Sequence, residues 1–194
     1  VFLVEAADDG VTVQPQQVAG GDGTGWLDLH GVRLAGDRLL GDVPTGRRIT
    51  AWLRAHATVG SCAAQLGTLE RALELTARYA GTRVQFGRAI GTFQAVTQRL
   101  ADAYIDVEAV RLTMWQAAWR LGEGLPCATE VATAKFWAAD AGHRVAHTMV
   151  HIHGGVGIDL DHPVHRYFLA AKHHEFTLGG ATAQLGVIGA ALAG

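Results

Sequence analysis

Between residues 96 and 121 the apolar side chains Val96, Leu100, Ala103, Val107, Val110, Met114, Ala117 and Leu121 recur at spacings of four and three without a break. Alternation of that kind lays one apolar seam along a helix, and the seam must be covered by another helix. Two flanking segments carry the same period. Residues 47–80 bring Trp52, Val59, Leu66, Leu69 and Leu73 onto roughly one stripe, with Gly81 placed to end the helix. Gly122 and Gly124 close the middle segment, Pro126 is suited to open the next, and Val131, Ala134, Ala138, Ala141, Val145 and Ile152 continue it. A shorter helix over 162–173 and an alanine-rich one after Gly180 complete a helical bundle over 46–194.

Residues 1–45 differ in character. Val1–Val4 and Val11–Val13 flank the turn signal Asp8-Asp9-Gly10, Gly20 to Gly25 reads as a polar loop, and Leu27–Leu29 and Val32–Leu34 around His30-Gly31 read as a tight hairpin. This piece is too short to be a stable sheet alone and is expected to be the remnant of a β domain. The fold class is therefore mainly α, preceded by a short β segment. The chain opens on Val1 without an initiator methionine, which reads as a piece of a longer polypeptide.

With 49% hydrophobic and 18% charged residues, the 194-residue chain can bury a sizeable core. Its formal net charge of -2 and scattered arginines offer no footprint for nucleic acid. No apolar run reaches the roughly 20 residues of a membrane span, and no basic-then-apolar leader opens the chain. Cys62 and Cys127 lie in alanine-rich helical stretches and read as small packing residues, which fits a cytoplasmic location. Trp115, Trp119 and Trp137 have core-like helical spacing and read as packing, within the bundle or at a subunit interface. His143, His147 and His151 share one helix face, but without an H-E-x-x-H pattern or a completing carboxylate no metal is expected.

Two stretches carry chemistry. In Tyr79–Ala95, Arg83 offers a fork of donors suited to a pyrophosphate, Gln85 and Gln94 can read sugar or base edges, and Phe86 offers an apolar face. In Val150–Ile158, Gly154, Gly155 and Gly157 follow a helix, where backbone can approach a ligand closely. The first string resembles the R-x-Q-F-G-x-x-I-x-x-F-Q-A signature of acyl-CoA dehydrogenases. The second, followed by His162-Pro163-Val164-His165-Arg166-Tyr167, matches the family order, and the likeness covers nearly the whole chain.

The resemblance implies FAD as cofactor, contacted by Arg83, Gln85, Phe86, Gln94, Gly154, Gly155, Thr182 and Gln184. His151 stands where the family commonly has a glutamine at the adenine end. It also implies an oligomer, in which this bundle completes the nucleotide site of a neighbour. The expected chemistry removes a proton from the α-carbon of an acyl-CoA thioester, with electrons passing to an acceptor of electron-transfer-flavoprotein type. In many members the base is the glutamate of an E-G-T-x-Q segment. Here Gly180 occupies that place, and Arg54–Val59, the second family location, holds no carboxylate. Glu175 is a weak substitute beside Lys172, His173 and His174. The favoured expectation is a non-catalytic partner in a heteromeric α2β2 enzyme of the actinobacterial steroid type, the alternative being a homotetramer. Other chemistry on the same fold, such as nitroalkane oxidation or flavin-dependent hydroxylation, and a non-enzymatic helical scaffold remain competing readings.

Overall fold

The computed structural model describes residues 1–18 and 23–193. Two compact units divide the chain, Val1–Arg54 and Ala55–Gly194.

In the first unit, β1 (Val11–Gln16) pairs antiparallel with β2 (Thr24–Leu29), in a register that sets Val11 opposite Leu29 and Gln16 opposite Thr24. This corrects the expected hairpin of Leu27–Leu29 with Val32–Leu34. The backbone bond from His30 N–H to the Gly10 carbonyl (2.8 Å) closes the β1–β2 pair, so His30-Gly31 ends a strand and does not reverse one. Val1–Val4 is not a strand either, since only Phe2 bridges, to Leu39. Residues 20–22 of the polar loop expected over Gly20 to Gly25 lie outside the described residues, and Thr24 and Gly25 belong to β2. Arg38 ties the unit together by donating to both Glu5 (2.6 Å) and Asp8 (2.7 Å).

The helical part consists of α1 (Gly46–Thr82), α2 (Gln94–Gly122), α3 (Ala128–His153), α4 (Val164–Phe176) and α5 (Ala181–Leu192). Gly81 does not stop α1. The helix runs one residue further, and the chain turns away only after Arg83 N–H has closed on the Tyr79 carbonyl at 2.8 Å. Pro163 precedes α4 as its cap, which moves the start beyond the expected residue 162 and lets the helix run on to Phe176.

The seam read from the sequence becomes the core. Ala103, Val107, Val110, Met114 and Ala117 of α2 are all buried, against Cys62, Leu66 and Leu69 of α1 and Ala134, Ala138, Ala141 and Val145 of α3. Small side chains on α3 let the helices approach closely. A second cluster of Ala72, Met149 and Val164 seals the end near the start of α4. Cys62 is buried, as a small packing residue should be. The tryptophans divide: Trp137 packs against the core, while Trp115 and Trp119 are 62% and 59% exposed. Their spacing fits a second face of α2 as well as it fits the core face. With Ile105 and Leu112 they form an uncovered apolar stripe.

Candidate functional site

The segment joining α1 to α2 is a β-hairpin of β3 (Val84–Gln85) and β4 (Arg88–Ala89), where the sequence suggested only a helix connector. Its two central residues, Phe86 (φ 53°) and Gly87 (φ 77°), are both left-handed, the pattern of a type I′ turn. Glycine adopts this freely, but for phenylalanine it costs roughly 1–2 kcal/mol. Phe86 is also 92% exposed, so its ring is held there with little burial. Its ring meets Phe93 edge-on at 6.2 Å, and the Arg88 guanidinium lies 4.2 Å over the same Phe93 ring. Arg83, Gln85 and Gln94 are exposed beside it.

A contact not legible in the sequence joins the hairpin to the glycine-rich segment. Near the end of α1 the Tyr79 ring stacks on His153, the last residue of α3, at 4.3 Å and 23°. Arg83 lies one turn beyond Tyr79, and Gly154, at φ 62°, directly follows His153. The stack therefore sets the two motifs side by side. Gly154, Gly155 and His151 are exposed there.

His153 itself is buried, with Nδ1 2.8 Å from the Met149 carbonyl. Burial lowers its pKa below the ordinary histidine value, and nearby His162 acts in the same direction, against the Met149 contact that raises it. As pH falls through about 6.5, the unfolded chain takes the proton first, so stability present above that pH is lost on acidification. Burial moves His147 the same way. Replacing His153 by Phe, which keeps a ring against Tyr79, should flatten the fall in unfolding free energy between about pH 7.5 and 5. An unchanged slope in urea titrations at the two pH values would exclude His153 as its source.

The remaining residues lie on and around the loop between α4 and α5. Gln184 is buried, and its amide donates to the Leu178 and Gly179 carbonyls at 3.2 Å each, bracing a loop in which both residues have positive φ. Thr182 is exposed in the first turn of α5. Gly180 caps that helix at φ −73° and ψ −177°, a conformation open to any residue. A Cβ there would meet nothing closer than 3.7 Å. Glu175, in the last turn of α4, is taken by Lys172 Nζ at 2.5 Å, with His143 Nδ1 at 3.3 Å.

The His143 and His147 rings lie 4.4 Å apart on the surface of α3, tilted by 41°. Among the described residues no three His, Cys, Asp or Glu side chains gather as metal ligands. A groove of about 540 Å³ between α2 and α3, lined by Arg99, Asp102, Asp106, His143 and Arg144 among others, includes none of the motif residues. Among the described residues no helix is long and apolar enough to cross a membrane.

Residues 45–193 match the family model described as acyl-CoA dehydrogenase, C-terminal domain. The chain belongs to the acyl-CoA dehydrogenase family. It is 55% identical over 201 residues to the acyl-CoA dehydrogenase FadE27 of Mycobacterium tuberculosis, covering 100% of this chain and 53% of that protein. A chain of the ChsE4-ChsE5 complex from Mycobacterium tuberculosis superposes with a TM-score of 0.95 at 57% identity, over 99% of this chain and 51% of that one. A chain of the Tcur3481-Tcur3483 steroid ACAD G363A variant superposes at 0.90 with 41% identity, over 99% and 51%. The present chain thus spans about half the length of these acyl-CoA dehydrogenase relatives. The family and the helical architecture expected from the two motifs are both borne out.

Proposed function

We propose that this chain is the FAD-contacting helical part of an acyl-CoA dehydrogenase subunit, working in a heteromeric enzyme whose partner chain supplies the base. The observation that carries this reading is Gly180. Its backbone would accept any residue and a side chain has room, so nothing in the fold demands glycine where the family places its glutamate. The nearest carboxylate in sequence, Glu175, is committed to Lys172. FAD, when bound, accepts a hydride from the β-carbon of the thioester as a carboxylate removes the α-proton.

This chain's part is binding and orientation. Arg83 and Gln85 would offer donors to a bound nucleotide, the Phe86 ring would offer it an apolar face, and Gly154 and Gly155 would let the backbone come close. Thr182 stands one turn from the loop that Gln184 braces. The uncovered stripe of Ile105, Leu112, Trp115 and Trp119 on α2 supports assembly with another subunit. Residues 1–45 belong, in this reading, to the middle β domain. The heteromeric and steroid-directed relatives favour a sterol side-chain thioester as substrate, with a carrier of electron-transfer-flavoprotein type as acceptor.

Co-expression of the full polypeptide with its partner chain should give a yellow complex that oxidises an acyl-CoA thioester. Glu175→Gln in this chain should leave turnover unchanged, whereas loss of the partner's glutamate should abolish it. Full activity with one FAD per subunit in a homo-oligomer would overturn the reading. Rapid oxygen consumption by the reduced complex would instead favour other flavin chemistry on the same fold.

A further inference from the structure

We infer that Arg88 is a second diphosphate-binding cation, presented beside Arg83 on one face of the β3–β4 hairpin. The inference rests on the FAD reading above and adds a residue to it. Its basis is register: Val84 pairs with Ala89 and Gln85 with Arg88, and the ladder is extended by the bond from Ile90 N–H to the Arg83 carbonyl at 2.8 Å. Side chains alternate along a strand, and directly paired residues share a face. Arg83, Gln85, Arg88 and Ile90 therefore lie on one side of the hairpin, and Val84 and Ala89 on the other. A tight two-residue turn at Phe86-Gly87 locks that register, because a slip by one residue would put Arg88 on the opposite face.

Two arginines share this face of the hairpin. Arg71, Arg78, Arg111, Arg120 and Arg144 of the helices each pair with a carboxylate. Arg83 and Arg88 take no carboxylate partner among the described residues. Arg88 is nevertheless held in place, since its guanidinium lies over the Phe93 ring at 4.2 Å. A stacked guanidinium keeps its in-plane N–H donors free, and the Arg88 and Arg83 forks flanking an amide suit two adjacent phosphate groups. One cation would serve a monophosphate, but the pair matches the diphosphate of a dinucleotide.

The test uses the complete complex, stripped of flavin and titrated with FAD at low and at high ionic strength. Arg88→Gln keeps a planar group over Phe93 but removes the charge, and the exposed position should leave the thermal midpoint unchanged. It is expected to weaken FAD binding about 10-fold at low salt, with Arg88→Lys intermediate. It should also make the affinity less sensitive to salt, which a purely structural role would not do. If Arg83→Gln weakens FAD while Arg88→Gln changes neither affinity nor salt dependence, Arg88 is no ligand and the FAD reading stands. If the unaltered complex binds no FAD, the reading and the inference fall together.

Discussion

Gly142→Ala should destabilise the bundle by about 2–4 kcal/mol, although alanine is the better helix former by about 1 kcal/mol. A Cβ at this position on α3 would lie 1.9 Å from Gln65 Nε2 and 3.1 Å from its Cδ. Gln65 has no exposed surface, and its Nε2 donates to the Ala138 carbonyl at 3.0 Å and the Ala171 carbonyl at 3.2 Å. One α1 side chain thus ties the backbones of α3 and α4, and a displaced amide has no solvent to retreat into. Overpacking a closed core costs roughly 1–3 kcal/mol, and breaking the buried hydrogen bonds a similar amount. Urea unfolding measures the sum. In a Gln65→Ala background the obstacle is gone, so the same glycine substitution should be close to neutral or mildly stabilising. A single-variant cost below about 0.5 kcal/mol would mean that the helices do not meet as described.

Lys135→Ala is expected to cost about 3–5 kcal/mol. Lys135 on α3 is the largest fully buried side chain, and its ammonium donates to the carbonyls of His174 (3.0 Å) and Glu175 (3.1 Å). Those carbonyls belong to the last turn of α4, where the helix itself provides no partners and its dipole favours a positive charge. Burial pushes the lysine pKa down, and it pushes the thiol of neighbouring Cys62 up to about 11. Alanine leaves both a cavity and two carbonyls without their donor. Methionine fills the cavity but still leaves the two carbonyls without a donor, so Lys135→Met should cost less than alanine, about 2–3 kcal/mol. The end of α4 leads directly into the loop of Leu178, Gly179 and Gly180. Hydrogen exchange should therefore quicken at residues 175–180 in both variants, and more so in the alanine one. Equal stability of the two variants would show that the hydrocarbon stem contributes nothing.

The seam from Val96 to Leu121 determined the helical bundle by itself, because a four-and-three spacing on a helix admits one apolar face. Its central members Ala103, Val107, Val110, Met114 and Ala117 are indeed the buried ones. The order of residues around Arg83 and Gly154 likewise sufficed for the family, since those strings are local in sequence. Partnership between distant segments was not legible. Val32–Leu34 has the look of a strand, yet the pairing of β2 with β1 depends on backbone bonds that close through Gly10. Trp115 and Trp119 have core spacing, but only the placement of α1 and α3 decides which face of α2 stays uncovered. Gln65 and Lys135 read as polar residues on helices until the carbonyls of α3 and α4 arrive beside them. Tyr79 and His153, distant in sequence, stack only because α1 and α3 end at the same level. Short-range periodicity sets which surface of a helix is apolar, whereas the pairing of surfaces and the burial of polar groups depend on atoms from elsewhere in the chain.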